Sequence, residues 1–113
     1  MLVIEKSITN NELKTIAKVT FGDMIKAVVD SEKEVIAIDA ELHSDLEAFL
    51  LKTGSKQKNL WGVNLYPEIE GNDFLEFDSM INIRPSQNNR SRGVDNDEIR
   101  RKITQIVNKR IKR

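Results

Sequence analysis

Along Phe74 to Arg84, FLEFDSMINIR, apolar and polar positions alternate. Leu75, Phe77, Ser79, Ile81 and Ile83 fall on one side, and Glu76, Asp78, Asn82 and Arg84 on the other. A period of two is that of a strand with one face in the core. The pattern therefore predicts a strand over 74–84 that runs into a polar, arginine-bearing loop, with Pro85 ending the pairing because it has no N–H for a ladder. Leu60 to Tyr66 alternates in the same way, with Trp61, Val63 and Leu65 opposite Gly62, Asn64 and Tyr66. Pro67 stops it, and Gly71-Asn72 supplies the turn that makes the two runs a hairpin. A second hairpin is expected from the β-branched runs Met24–Val29 and Val35–Ile38, joined by the polar Asp30–Glu34. Both runs are nearly continuous in apolar character, which places them near the middle of a sheet. Leu2 to Glu5 adds a short strand.

Helical grammar appears at three places. Thr9 with Glu12 forms a capping box and Ile8 with Leu13 a hydrophobic staple, so a helix is expected to start there, to bury Leu13, Ile16, Ala17 and Thr20 or Phe21, and to stop at Gly22. Asp95 with Glu98, and Val94 with Ile99, repeat that grammar before a stripe of Ile99, Ile103, Ile106, Val107 and Ile111. Ala40 to Thr53 reads as a helix opened by Ser44 and Glu47, with a strand through Ala48 to Leu51 as the rival. The fold class predicted is α+β, a mainly antiparallel sheet of about five strands with two or three helices packed on one face.

The length of 113 residues fits a single domain spanning 1–113. The absence of cysteine excludes disulfides, thiolate metal sites and thiol nucleophiles. No apolar run reaches the length of a membrane span, and the N-terminus lacks the layout of a signal peptide, so a cytoplasmic location is expected. The zero net charge hides an asymmetry. Residues 1–83 carry 8 Lys and Arg against 15 Asp and Glu, a net of −7, and residues 84–113 carry 10 against 3, a net of +7. Either the basic end lies over acidic surface or it is a patch for an acidic partner.

The stretches ELH at 41–43, GSKQ at 54–57, WGVNLYP at 61–67 and FDSMINIRPSQNNRSRGV at 77–94 resemble a family of small bacterial and archaeal proteins known only as a domain of unknown function. The resemblance covers nearly the whole chain. It implies a complete small protein and supplies no activity, substrate or cofactor.

Candidate chemistry comes from the residues themselves. Hairpin neighbours would gather Asn64, Tyr66, Glu76, Asp78, Asn82 and Arg84 on one polar face. The loop beyond adds Ser86, Asn89, Arg90 and Arg92, with forked guanidinium groups suited to phosphate or carboxylate. The first reading is thus a binding protein for an anionic group, a phosphate-bearing small molecule or RNA. The competing structural reading is that Arg84 and Arg92 pair with Glu76 and Asp78 while the Asn and Ser residues shape the loop. Against a purely structural loop stands its length, since a loop that only turns can be shorter. An enzyme is the less favoured alternative, a small hydrolase-like protein using His43 with Glu76 or Asp78. A protein-protein interaction module is a further one. Basic residues on the last helix, Arg100, Arg101, Lys102, Lys109, Arg110, Lys112 and Arg113, raise nucleic-acid binding, with Trp61 and Tyr66 stacking bases if exposed. The only histidine makes a poor metal signal, and no cofactor motif is present, so no metal and no cofactor are expected.

Overall fold

The capping box at Thr9 forms: Glu12 N–H donates to Thr9 Oγ1 at 3.2 Å, and the Glu12 carboxylate accepts from Thr9 N–H at 3.3 Å. The computed structural model describes Met1–Arg113 and places β1 at Leu2–Ile4, β2 at Ile8–Thr9, α1 at Asn10–Lys18, β3 at Ile25–Asp30 and β4 at Val35–Ile38. These are followed by α2 at His43–Lys52, β5 at Leu60–Leu65, β6 at Leu75–Glu76, α3 at Asp97–Arg110 and β7 at Ile111–Lys112. The architecture is α+β, with one antiparallel five-stranded sheet in the order β1-β4-β3-β5-β6.

As their apolar runs require, β3 and β4 are interior strands covered on both faces. Alternation sends Ile25, Ala27 and Val29 to one face, where they meet Leu13 and Ala17 of α1 and Ile103, Ile106 and Val107 of α3. Val28 and Ala37 point to the other face and meet Leu46 and Leu50 of α2. Two helices therefore share one face, and α2, the segment with two competing readings, is a helix on the opposite one. A short parallel ladder, Ile8 with Ile111 and Thr9 with Lys112, ties the entry of α1 to the exit of α3.

The β3–β4 turn is built on a buried acid. Asp30 Oδ1 accepts from the N–H groups of Glu32 and Lys33, both at 2.9 Å, and Oδ2 accepts from Ser55 Oγ at 2.6 Å. Next to it, Glu34 receives Lys102 at 3.1 Å and Lys109 at 3.3 Å, while Arg110 donates to its carbonyl at 2.8 Å. The two lysines hold the Glu34 carboxyl below its ordinary pKa. Part of the charge asymmetry is satisfied internally in this way.

Three sequence expectations are corrected. Helix α2 begins at His43 with Leu42 as its N-cap and no side-chain cap, so the Ser44–Glu47 box does not form. Asp95 does not cap α3, because its carboxylate is drawn back to the N–H groups of Arg90 at 2.9 Å and Ser91 at 3.4 Å. Asn96 caps instead, accepting from Ile99 N–H at 3.0 Å.

The third correction is the largest: 74–84 is not a continuous strand. Only Leu75–Glu76 pairs with β5; Met80–Asn82 is a 3-10 turn, and Arg84 makes an isolated bridge to Asn89. The reason lies in Gly62 on β5. A Cβ there would stand 2.5 Å from Ser79 Cβ and 3.1 Å from Ile81 Cγ1, so the absence of a side chain lets the 79–82 turn fold down over the strand. Pairing with β5 is then completed by side chains. Asn82 Oδ1 accepts from Gly62 N–H at 2.8 Å and its Nδ2 donates to Gly62 C=O at 2.9 Å, a carboxamide taking the place of a strand peptide.

Candidate functional site

Where β6 ends and the chain leaves the sheet, a cavity of about 500 Å³ opens on the α2 side, between the start of α2, β3, β5 and the 76–81 segment. Its polar lining comes from distant stretches: Lys26, His43, Asn64, Tyr66, Glu76, Asp78 and Arg92. Met24, Leu42, Met80 and Ile81 give it an apolar portion.

Antiparallel register sets Asn64 opposite Glu76. Glu76 Oε1 accepts from Asn64 Nδ2 at 2.8 Å and from the Tyr66 hydroxyl at 2.9 Å, which fixes the carboxylate and leaves Oε2 without a protein partner. Burial and the Glu76 carboxylate both raise the pKa of Tyr66, so its hydroxyl stays a donor. Asn64 is buried, and its Oδ1 has no hydrogen-bond partner.

His43, the first residue of α2, crosses to the sheet and places Nε2 2.8 Å from the Val63 carbonyl oxygen. A carbonyl only accepts, so Nε2 carries the hydrogen and the neutral ring keeps its lone pair on Nδ1. Burial is the main cause of a lowered pKa; Lys26 and Arg92 act in the same direction, and the Val63 bond and Asp78 oppose it. Because the folded state disfavours the imidazolium, stability is full above the unfolded pKa of about 6.5 and falls as pH drops through that value toward the folded one. In thermal melts between pH 7.5 and 5, about the span of an unperturbed histidine titration, the native chain is expected to lose more stability than a His43→Gln variant. Glutamine keeps an N–H donor and cannot charge; parallel pH curves for the two proteins would contradict the assignment.

Asp78 Oδ1 receives Arg92 Nε at 2.6 Å. That bond orients the guanidinium and leaves its two Nη groups without protein acceptors. No direct hydrogen bond joins His43 to Glu76 or Asp78.

The remaining sequence candidates lie elsewhere. Asn82, Arg84 and Asn89 are buried rather than displayed on a strand face. Arg84 donates to the carbonyls of Ile81, Gln57 and Leu60, with its guanidinium 4.3 Å from the Trp61 ring centre. Burial lowers its pKa, opposed by Glu47. Asn89 Nδ2 donates to Asn82 C=O and Gly93 C=O, both at 2.8 Å, and its Oδ1 accepts from Asp95 N–H at 2.8 Å, so it holds the loop together. Ser86 and Arg90 are exposed and outside the cavity. Trp61 is core, with no face for a base.

Sequence reasoning missed Lys26 as part of the site. Its signal was present: it is the one charged residue within Met24–Val29, on the face opposite Ile25 and Ala27.

The sequence profile of the family described as "Protein of unknown function (DUF5674)" matches residues 2–110. The chain belongs to this family. No curated protein and no solved structure matches it. Three of the four stretches that carried the resemblance meet in the cavity: His43 from ELH, Asn64 and Tyr66 from WGVNLYP, and Asp78 and Arg92 from the run at 77–94, whereas GSKQ at 54–57 lies outside it. No helix is long and apolar enough to cross a membrane.

Proposed function

We propose that the chain binds a small molecule that joins an anionic group to hydrogen-bond donors, in the cavity lined by His43, Tyr66, Glu76 and Arg92. The observation that carries this reading is the Asp78–Arg92 pair, which holds the guanidinium through Nε and leaves its terminal nitrogens free in the same cavity as Lys26. Two terminal N–H groups in a plane fit two oxygens of a phosphate or carboxylate. The free oxygens of Glu76 and Asp78 repel a bare anion but accept from O–H or N–H groups, so both features are required of one ligand.

Hydrogen phosphate carries charge and an O–H group, whereas sulfate carries charge alone, which makes the two a matched pair of probes. In two-dimensional NMR titrations, phosphate is expected to shift the signals of Arg92, His43 and Tyr66 more strongly than sulfate. Arg92→Gln is expected to weaken phosphate binding by about tenfold, or 1.4 kcal/mol. Equal responses to both anions, or an unchanged titration in the variant, would remove the cavity from the account.

A second reading, a small hydrolase-like enzyme, is favoured by the neutral His43 ring with Nδ1 free as a base and Glu76 or Asp78 nearby as the acid. It needs a proton path through ligand or water, since the imidazole touches neither carboxylate. Ligand binding that survives His43→Gln while turnover disappears would favour this reading over binding alone.

A further inference from the structure

The cations of α3 divide into two sets. Lys102, Lys109 and Arg110 turn toward Glu34 and are engaged there. Arg100 and Arg101 turn the other way and, with Arg113, line a separate concavity of about 640 Å³ between α3 and residues 71–77. No carboxylate forms an ion pair with any of these three arginines.

Two of the three guanidinium groups are fixed in place by flat surfaces. Arg100 lies 4.4 Å from the ring centre of Phe77 and donates to Val94 C=O at 3.3 Å. Arg113 lies 4.2 Å from the ring centre of Phe74 and donates to Asn108 Oδ1 at 3.1 Å. A guanidinium stacked by one face on a phenyl ring has its other face available to a second planar group, and such planes are a common seat for an unstacked base. The stacking also removes conformational freedom before any ligand arrives, which lowers the entropy lost on binding.

We propose that this groove binds a nucleoside phosphate. Stacking on Arg100 or Arg113 takes the base, Arg101 takes the phosphate, and the amides of Gln105 and Asn108 supply hydrogen bonds to base edges. Asp73 and Asp97, also in the lining, oppose a bare polyphosphate but accept from ribose hydroxyls, as a carboxylate does in dinucleotide sites. The volume lies within the ordinary range for small-molecule sites. This site is distinct from the His43 cavity, shares no residue with it, and stands or falls separately.

The ligand has two sources, a free nucleotide or a single-stranded RNA, and two probes separate them. Uridine monophosphate is titrated by NMR, and a labelled oligouridylate of about a dozen nucleotides by fluorescence anisotropy at roughly 50 and 200 mM salt. Shifts at Gln105 and Asn108 with the mononucleotide point to free nucleotide; anisotropy without them points to the strand. The Arg101→Gln variant, whose side chain is exposed and forms no ion pair, is expected to weaken either interaction by about threefold to tenfold, and to flatten the salt slope for the strand by about 0.7. The Lys102→Gln, Lys109→Gln double variant removes two charges from the same helix and none from the groove, and is expected to weaken binding less. Equal losses in the two variants would mean attraction to the helix's overall charge and would overturn the site. So would the absence of binding by both probes to the native chain.

Discussion

Asn82→Leu is expected to lower the unfolding free energy by about 3–6 kcal/mol, the largest effect of any single replacement that keeps side-chain volume. The carboxamide serves Gly62 N–H, Gly62 C=O and Arg92 C=O, and Asn82 itself is fully buried. Leucine leaves three backbone groups without partners, each costing about 1–3 kcal/mol. Since a small domain has only about 5–15 kcal/mol in all, the loss is a large share of the total. Asn82→Asp should be worse than its similarity suggests, because a carboxylate turns an acceptor toward the Gly62 and Arg92 carbonyls where a donor is needed. Urea denaturation with an unchanged m-value is the measurement. A loss under about 1 kcal/mol for Asn82→Leu would show that β5 finds other partners.

The second large effect is expected at Arg84. Its charge is buried without a carboxylate within bonding distance, so its stabilisation must come from three backbone carbonyls, the Gln87 amide oxygen and the Trp61 ring. Two terms compete: desolvation of the guanidinium favours replacing it by an apolar chain, and the orphaned carbonyls oppose that. Leu60 C=O lies on a strand that is buried throughout, so the carbonyl term wins, and Arg84→Met is expected to cost about 3–5 kcal/mol. Arg84→Lys should recover only part, because a single ammonium cannot span acceptors that the planar fork reaches together. A methionine variant as stable as the native chain in the same denaturation series would reverse that ranking.

These two residues also mark where sequence reasoning stops. Near-continuous β-branched runs located β3 and β4, and period-two alternation located β5 and the face of it that carries Asn64 and Tyr66, because each of these strands is paired by backbone. The same rule put Asn82 and Arg84 on an outward face, whereas they are inside. The alternation in 77–84 is real, but the partners of those side chains are backbone groups of β5 and of Gln57, Ile81 and Arg92 beside it. A hydrophobicity pattern does not distinguish a polar residue that meets water from one that meets an unpaired peptide. At the capping positions the difficulty was similar, since Asp95 had two possible duties and Ser91 together with the Arg90 N–H outcompeted the helix.

The cavity was half legible. Asn64, Tyr66 and Glu76 follow from one hairpin register. His43 reaches them only because α2 covers the sheet face opposite α1 and α3, an arrangement that its own sequence, amphipathic on a short stretch, does not specify. Arg92 arrives through Ser79 N–H donating to Arg92 C=O at 2.9 Å, a contact between segments the strand reading had kept apart.

The sole tryptophan is stacked against the buried guanidinium. Its emission is therefore a built-in optical gauge of the clasp between the 79–89 segment and β5. Because that ring is also part of the main apolar cluster, the same photons sense the whole interior. Comparing that light with circular dichroism distinguishes a molecule that loosens this one flap from a molecule that comes apart at once.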